Sequence, residues 1–289
     1  MLDSGDSLLR YTFGSLPVRG ELVQLTGSYQ RLTAGHNYPA VVQQMLGELM
    51  AVASLLTATL KFEGHINLQV QGNGCLNFMT VNGSHDQQLR GLARLTSEPM
   101  DDTFSGLTGN KAYLIITLSP AQGERYQGVV EVRPEDTQLN QVIERYFAQS
   151  EQLRTRIWLH ADADFCGGML LQALPGEEQD DDSFQHLEAL TDTIRSEELK
   201  TLEGTQILHR LYHEQDVHLF PAMPVRFHCG CSHEKSMQAL YSVPVAELKD
   251  ILQEDGEIKL TCDYCLTEYR YNEEDVAAIQ GHQPPTHTQ

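Results

Sequence analysis

The chain has 289 residues and 32.5 kDa, 40% apolar and 21% charged, which suits one large domain plus a smaller one and excludes wholesale disorder. Forty acidic against twenty basic side chains give a net charge of −20. That balance argues against a nucleic-acid face, which needs clustered Lys and Arg, and against binding to anionic membrane surfaces.

The acidity is lopsided, with a net of −4 over residues 1–150 and −16 over residues 151–289, so the two halves are expected to do different work. Residues 1–20 carry Asp3, Asp6 and Arg10 and no apolar core of a secretory signal. The apolar stretch over 49–60 is too short to span a bilayer. A cytoplasmic protein is expected, and there six cysteines point to metal or redox chemistry rather than to structural disulfides.

In chain order, Tyr38-Pro39 introduces a helical pattern through Val42, Met45, Leu46, Leu49, Ala53, Leu56 and Leu60, with so little charge that it should be buried on most sides. Ile66, Leu68 and Val70 alternate with polar residues up to Gly72-Asn73-Gly74, and a second run from Leu76 to Val81 completes a predicted hairpin. Residues 112–118 and 126–132 make another pair. Leu139, Val142, Ile143, Tyr146 and Phe147 mark an amphipathic helix, and 155–160 and 169–174 return to strand character. Hairpins between helices favour an α+β core over 1–178 rather than a strictly alternating parallel fold.

Pro175-Gly176 followed by five acidic residues in six positions marks a solvated boundary. Beyond it, Phe184, Leu187, Leu190, Ile194, Leu199, Leu202, Ile207, Leu208 and Leu211 outline short helices, interrupted at Gly204, that would be marginal alone and must lean on a neighbour. They form a predicted helical linker over 179–225. A small domain over 226–281 and a disordered tail over 282–289 complete the chain.

That small domain carries Cys229-Gly230-Cys231 and Cys262-Asp263-Tyr264-Cys265, thirty residues apart. Four thiolates in two close pairs suit a tetrahedral S₄ site, for zinc first and an iron–sulfur cluster second. A unit of this size needs such a staple to fold. The site reads either as a structural pin or as a switch in which oxidation closes each pair and ejects the metal. His209 and His213 stand at i, i+4 without a third ligand and read as a solvated face, and His228 and His233 flank a set that four cysteines already fill. Gly72-Asn73-Gly74 opens no helix, residues 106–111 fail the P-loop spacing, and Ser84-His85-Asp86 are only sequence neighbours. Cys75 and Cys166 read as ordinary, partly buried thiols.

Phe227-His228-Cys229-Gly230-Cys231-Ser232 and Thr261-Cys262-Asp263-Tyr264-Cys265, followed by Tyr269-x-Tyr271, resemble the switch domain of the 33 kDa chaperonin family. The segments around Val18-Arg19-Gly20-Glu21, His36-x-Tyr38-Pro39, Gln69-x-Gln71-Gly72, Leu89-Arg90-Gly91, Tyr126-Gln127-Gly128 and Gln149-Ser150-Glu151-Gln152 are similar to the same family. Departures are Cys166, where a small residue is expected, and Gly230, where a basic one is usual. The resemblance implies a chaperone rather than an enzyme. In its reduced form one zinc per chain would sit on Cys229, Cys231, Cys262 and Cys265. Oxidants would form Cys229–Cys231 and Cys262–Cys265 disulfides and release the zinc. The linker would then unfold and the protein, often as a homodimer, would hold unfolding client proteins without ATP under oxidative and heat stress. Two other readings compete: a zinc-ribbon adaptor with a purely structural metal, and a thiol–disulfide oxidoreductase using Cys262 and Cys265. The second is disfavoured by strand-like flanks and by Asp263.

Overall fold

Strands β1 (Ser7–Phe13) and β2 (Leu16–Leu25) open the computed structural model as a hairpin, before α1 (Gly27–Thr33) and α2 (Ala40–Thr57). The residues described are 5–14, 16–60, 63–175 and 181–280, so the acidic boundary at 176–180 and the expected tail lie outside them. Next come β3 (Gly64–Gln71), β4 (Leu76–Ser84), β5 (Gln88–Leu95), α3 (Phe104–Thr108), β6 (Ala112–Pro120), β7 (Tyr126–Val132) and α4 (Leu139–Tyr146), which runs on into a wider π turn at Phe147–Glu151. Strands β8 (Thr155–Ala161) and β9 (Cys166–Ala173) precede three helices, α5 (Asp181–Thr191), α6 (Ser196–Thr201) and α7 (Gly204–Tyr212). Three short strands follow, β10 (Val217–Leu219), β11 (Met223–Pro224) and β12 (Arg226–Phe227). The expected α+β class is what forms: chain contacts group Met1–His228 as one unit and Cys229–Gln289 as a second.

The first unit holds two sheets. One has the order β10-β1-β2-β9-β8, with β11 also on the outer edge of β1; the other has the order β12-β5-β4-β3-β6-β7. All pairs are antiparallel except β12 with β5. Helix α2 lies between them, against β2, β8 and β9 on one side and β3, β4 and β5 on the other. Thirteen of its eighteen residues are buried, which is why its sequence lacks a polar face. Among the described residues it is the helix long and apolar enough to cross a membrane, and the two sheets account for that composition.

The first sheet is covered on its other face as well. Strand β9 is buried at all eight positions because Cys166 and Leu170 face α2 while Met169, Leu171 and Ala173 face a second core. That second core joins Leu9, Tyr11, Phe13, Val18 and Leu22 of the sheet to Phe184, Leu187, Leu199, Ile207, Leu208, Leu211 and Tyr212 of α5–α7. Gly20 makes room for it, since a Cβ there would stand 2.2 Å from the Tyr11 ring. Polar contacts add little at the exposed rim: Gln24 donates to the carbonyls of Leu199 and Leu202 at 2.7 and 2.8 Å, and Lys200 pairs with Asp162 at 2.7 Å. The helices therefore do lean on the sheet, and Gly204 begins α7 rather than breaking it.

On the α2 side of β2, Glu21 is buried with Arg10 opposite it on β1 and Arg19 at 3.9 Å. Burial outweighs the two arginines and lifts its carboxyl from an ordinary 4.5 to about 7. The folded state then holds this proton more tightly than the unfolded chain, so its share of stability is present below about pH 4.5 and is lost as pH rises to 7. Glu21→Gln should therefore stabilise the first unit by about 2–3 kcal/mol at pH 8 and scarcely change it at pH 5, read by urea unfolding at both pH values. Equal shifts at the two pH values would refute a proton-bound Glu21.

The second unit packs α8 (His233–Leu240) and α9 (Val245–Asp255) with the hairpin of β13 (Ile258–Thr261) and β14 (Glu268–Tyr271) and the closing α10 (Glu273–Gln280). Its core is six buried side chains, Leu240, Leu248, Leu252, Ile258, Tyr271 and Val276. Ser232 caps α8 by accepting from the Lys235 N–H at 3.2 Å, and Gly256 ends α9 in a left-handed turn.

Candidate metal centre

Cys229-Gly230-Cys231 lies immediately before the cap of α8, and Cys262 to Cys265 form the turn of the β13–β14 hairpin. Gly230 takes φ of +65°, a left-handed turn open to glycine without steric cost. The other loop is closed by the Leu266 N–H donating to the Cys262 carbonyl at 2.8 Å and the Cys262 N–H donating to the Thr267 carbonyl at 3.0 Å. Each loop thus folds its two thiols back toward a common point.

The four sulfurs lie within 4.8 Å of one another, with Cys229 and Cys262 Sγ 3.5 Å apart and Cys231 and Cys265 Sγ 3.4 Å apart. A zinc–sulfur bond of about 2.3 Å sets tetrahedral sulfur edges of about 3.8 Å, which this spacing brackets. All four are free thiols. The donor set and its size fit a metal of zinc's preferences.

Burial pushes the Cys229 and Cys231 thiols above their ordinary range. Cys265 goes the other way, to about 7: against burial, hydrogen bonds from Thr267 and from the neighbouring thiols favour its thiolate. Thiols ligate metal as thiolates, so metal binding at these four cysteines must displace protons. The Tyr269 hydroxyl donates to Cys231 Sγ at 3.1 Å, a support for the sulfur that residue type and spacing had not revealed. The Thr267 hydroxyl sits 3.3 Å from Cys265 Sγ.

The remaining candidates fall away. His228 holds the Leu89 carbonyl with its backbone N–H at 2.9 Å, and the His233 ring lies 3.2 Å from the Arg270 carbonyl and 4.5 Å from the Tyr271 ring. The His209 and His213 rings stand 6.2 Å apart and gather no third ligand among the described residues. Cys166 is fully buried in β9, which raises its pKa, and Cys75 is half-buried with Sγ 3.6 Å from the Leu107 carbonyl. Residues 72–74 form a turn packed against the end of α3 at Leu107 and Thr108 and against Gly109, and Ser84 bonds Asp86 within its own turn. Cys262 and Cys265 sit between two strands, not at the helix N-terminus that a thiol–disulfide oxidoreductase uses to lower a thiol pKa.

The family described as Hsp33 protein matches residues 6–272. A protein of Shewanella sp. (strain MR-4) named 33 kDa chaperonin is 48% identical over 284 residues, covering 98% of this chain and 99% of its own. Another of that name from Shewanella baltica (strain OS155) is 49% identical over 274 residues, covering 95% of each. The crystal structure of a 33 kDa chaperonin from Thermotoga maritima superposes with a TM-score of 0.82 at 20% identity, over 96% of this chain and 98% of that one, and so shares the fold.

Proposed function

The chain belongs to the Hsp33 protein family, and we propose that it is a cytoplasmic, ATP-independent holdase switched on by oxidation of its four-cysteine site. The observation that carries this reading is the cluster itself: four thiols at tetrahedral spacing on two short loops of a unit with a six-residue core. Cys229, Cys231, Cys262 and Cys265 would hold one zinc, which supplies folding energy to a unit too small to fold well without it. Two molecules of peroxide would each take two electrons and two protons from one of the pairs Cys229–Cys231 and Cys262–Cys265, each leaving one disulfide and two waters. No thiolate would then remain to ligate metal.

The second unit would unfold, and the segment 179–225 would act as a linker that follows it. Release of α5–α7 would uncover the apolar face of Leu9, Tyr11, Phe13, Leu22, Met169 and Leu171. A face of that kind binds exposed apolar segments of unfolding proteins. Dimerisation of the oxidised form would enlarge it. The high negative charge would keep the opened chain soluble.

The reduced protein is expected to be colourless and to contain one zinc per chain, and Cys262→Ser with Cys265→Ser to lose it. A visible charge-transfer band, or stoichiometric zinc in the double variant, would refute the site. Suppression of aggregation, assayed before and after peroxide, should appear only after treatment. Retained zinc with no gain in holding would instead assign the metal a purely structural role.

A further inference from the structure

Residues 217–228 form a strap along the edges of both large sheets. β10 pairs with β1 through Tyr11↔Leu219, Thr12↔His218 and Phe13↔Val217, and β11 pairs with it through Ser7↔Pro224 and Leu8↔Met223. β12 lies parallel on β5 through Arg226↔Gln88 and Phe227↔Leu89. The strap donates from Phe220 to the Arg10 carbonyl at 2.9 Å and from Val225 to that of Asp6 at 3.1 Å. On the other sheet Arg226 donates to Gln87 at 3.0 Å and His228 to Leu89 at 2.9 Å.

This covering is thin. Pro221 and Pro224 have no N–H to give, and they break the strap into strands of three, two and two residues. Leu219 and Phe220 remain exposed on its outside. Strands β1 and β5, at seven and eight residues, are longer than the pieces that cover them. An uncovered strand edge is a template for any extended chain, because main-chain pairing does not depend on sequence.

We propose that the strap is a placeholder, and that the edges of β1 and β5 take an extended segment of an unfolded client by main-chain pairing once the strap is released. This rests on the holdase reading above and adds where and how the client is held. The β1 edge already accepts an antiparallel strand and the β5 edge a parallel one, so both polarities fit. Leu9, Tyr11 and Phe13 on β1 place the uncovered apolar face directly beside that edge, where alternate client side chains would lodge. A second copy's strap would bring the same proline-limited pairs and gain nothing over the first. An unfolded client offers longer runs.

Alternation along the strands aims the N–H groups of Leu8, Arg10 and Leu89 at the strap. Amide exchange of the oxidised full chain, with and without reduced, carboxymethylated lactalbumin as a permanently unfolded probe, tests this. Protection at those three amides should fall by about tenfold or more on oxidation and return by a similar factor when the probe saturates. If the probe is bound and these amides stay unprotected, the edge is not the site. Protection that returns with rising protein concentration and no probe would give the edge to a second copy and also overturn the proposal. Aggregation suppression in the same samples separates the two readings: its absence sinks the holdase, while its presence with open edges sinks only the edge.

Discussion

Peroxide treatment that strips the zinc is expected to erase amide protection in α8 and α9 and in α5–α7, while β3, β4 and β6 keep theirs. Metal binding in small thiolate units is worth on the order of 10 kcal/mol, as much as the whole stability of an ordinary domain. Among the described residues, the second unit sets six buried side chains, Leu240, Leu248, Leu252, Ile258, Tyr271 and Val276, with a few half-buried neighbours, against its chain entropy. Its unfolding reaches the first unit through the chain itself, because the strap ends at His228, next in sequence to Cys229. The strap's few hydrogen bonds then anchor a segment whose far end is free, and α7 follows. The long strands of the central sheets share the α2 core and lose nothing. Protection that survives in α9 after zinc loss would show that the metal is not needed for folding. Loss confined to α8 and α9 would break the proposed link to the linker helices.

The sequence disclosed those parts of the fold that carry their own run or regular spacing of apolar residues. Helix α2, the β3–β4 and β6–β7 hairpins and strands β8 and β9 fell where their apolar spacing placed them. The four cysteines were legible because close thiol pairs admit few purposes, and the structure brings them together. Strands β2 and β5 were visible only as family-like segments, and β1 carried no signal that was read. β2 is buried on both faces and interrupted by Gly20 and Glu21, so it lacks clean alternation. Helices α8 and α9 were hidden by polar composition, since each buries only one or two side chains. The strap was missed for a different reason: strands of two or three residues, cut by proline, exist through the edges they cover and carry no periodicity of their own. That the linker helices need a neighbour could be read from their sparse apolar residues, but not that the neighbour is the far face of the first sheet.

Replacing Tyr212 by Ala should turn the reduced, zinc-loaded protein into a holdase without oxidation. Tyr212 is 1% exposed at the end of α7 and completes an aromatic trio, its ring 4.9 Å from Phe13 and 5.9 Å from Tyr11. Its hydroxyl meets Thr191 Oγ1 at 2.5 Å and so ties α7 to α5. Truncating a large buried aromatic costs about 3–5 kcal/mol. That loss falls on the contact between α5–α7 and β1, on the face of the sheet away from the α2 core. At 1.4 kcal/mol per decade, about 4 kcal/mol multiplies the population with α5–α7 released by roughly a thousand. Tyr212→Phe keeps the ring and removes only the hydrogen bond, worth about 1 kcal/mol, so it should stay inactive when reduced. The pair is compared by aggregation suppression under reducing conditions, with zinc content confirming that the four cysteines remain loaded. If Tyr212→Ala exposes α5–α7 to exchange yet holds no client, the uncovered face is not where clients bind. If α5–α7 stay protected, their hold on the sheet does not depend on this aromatic contact.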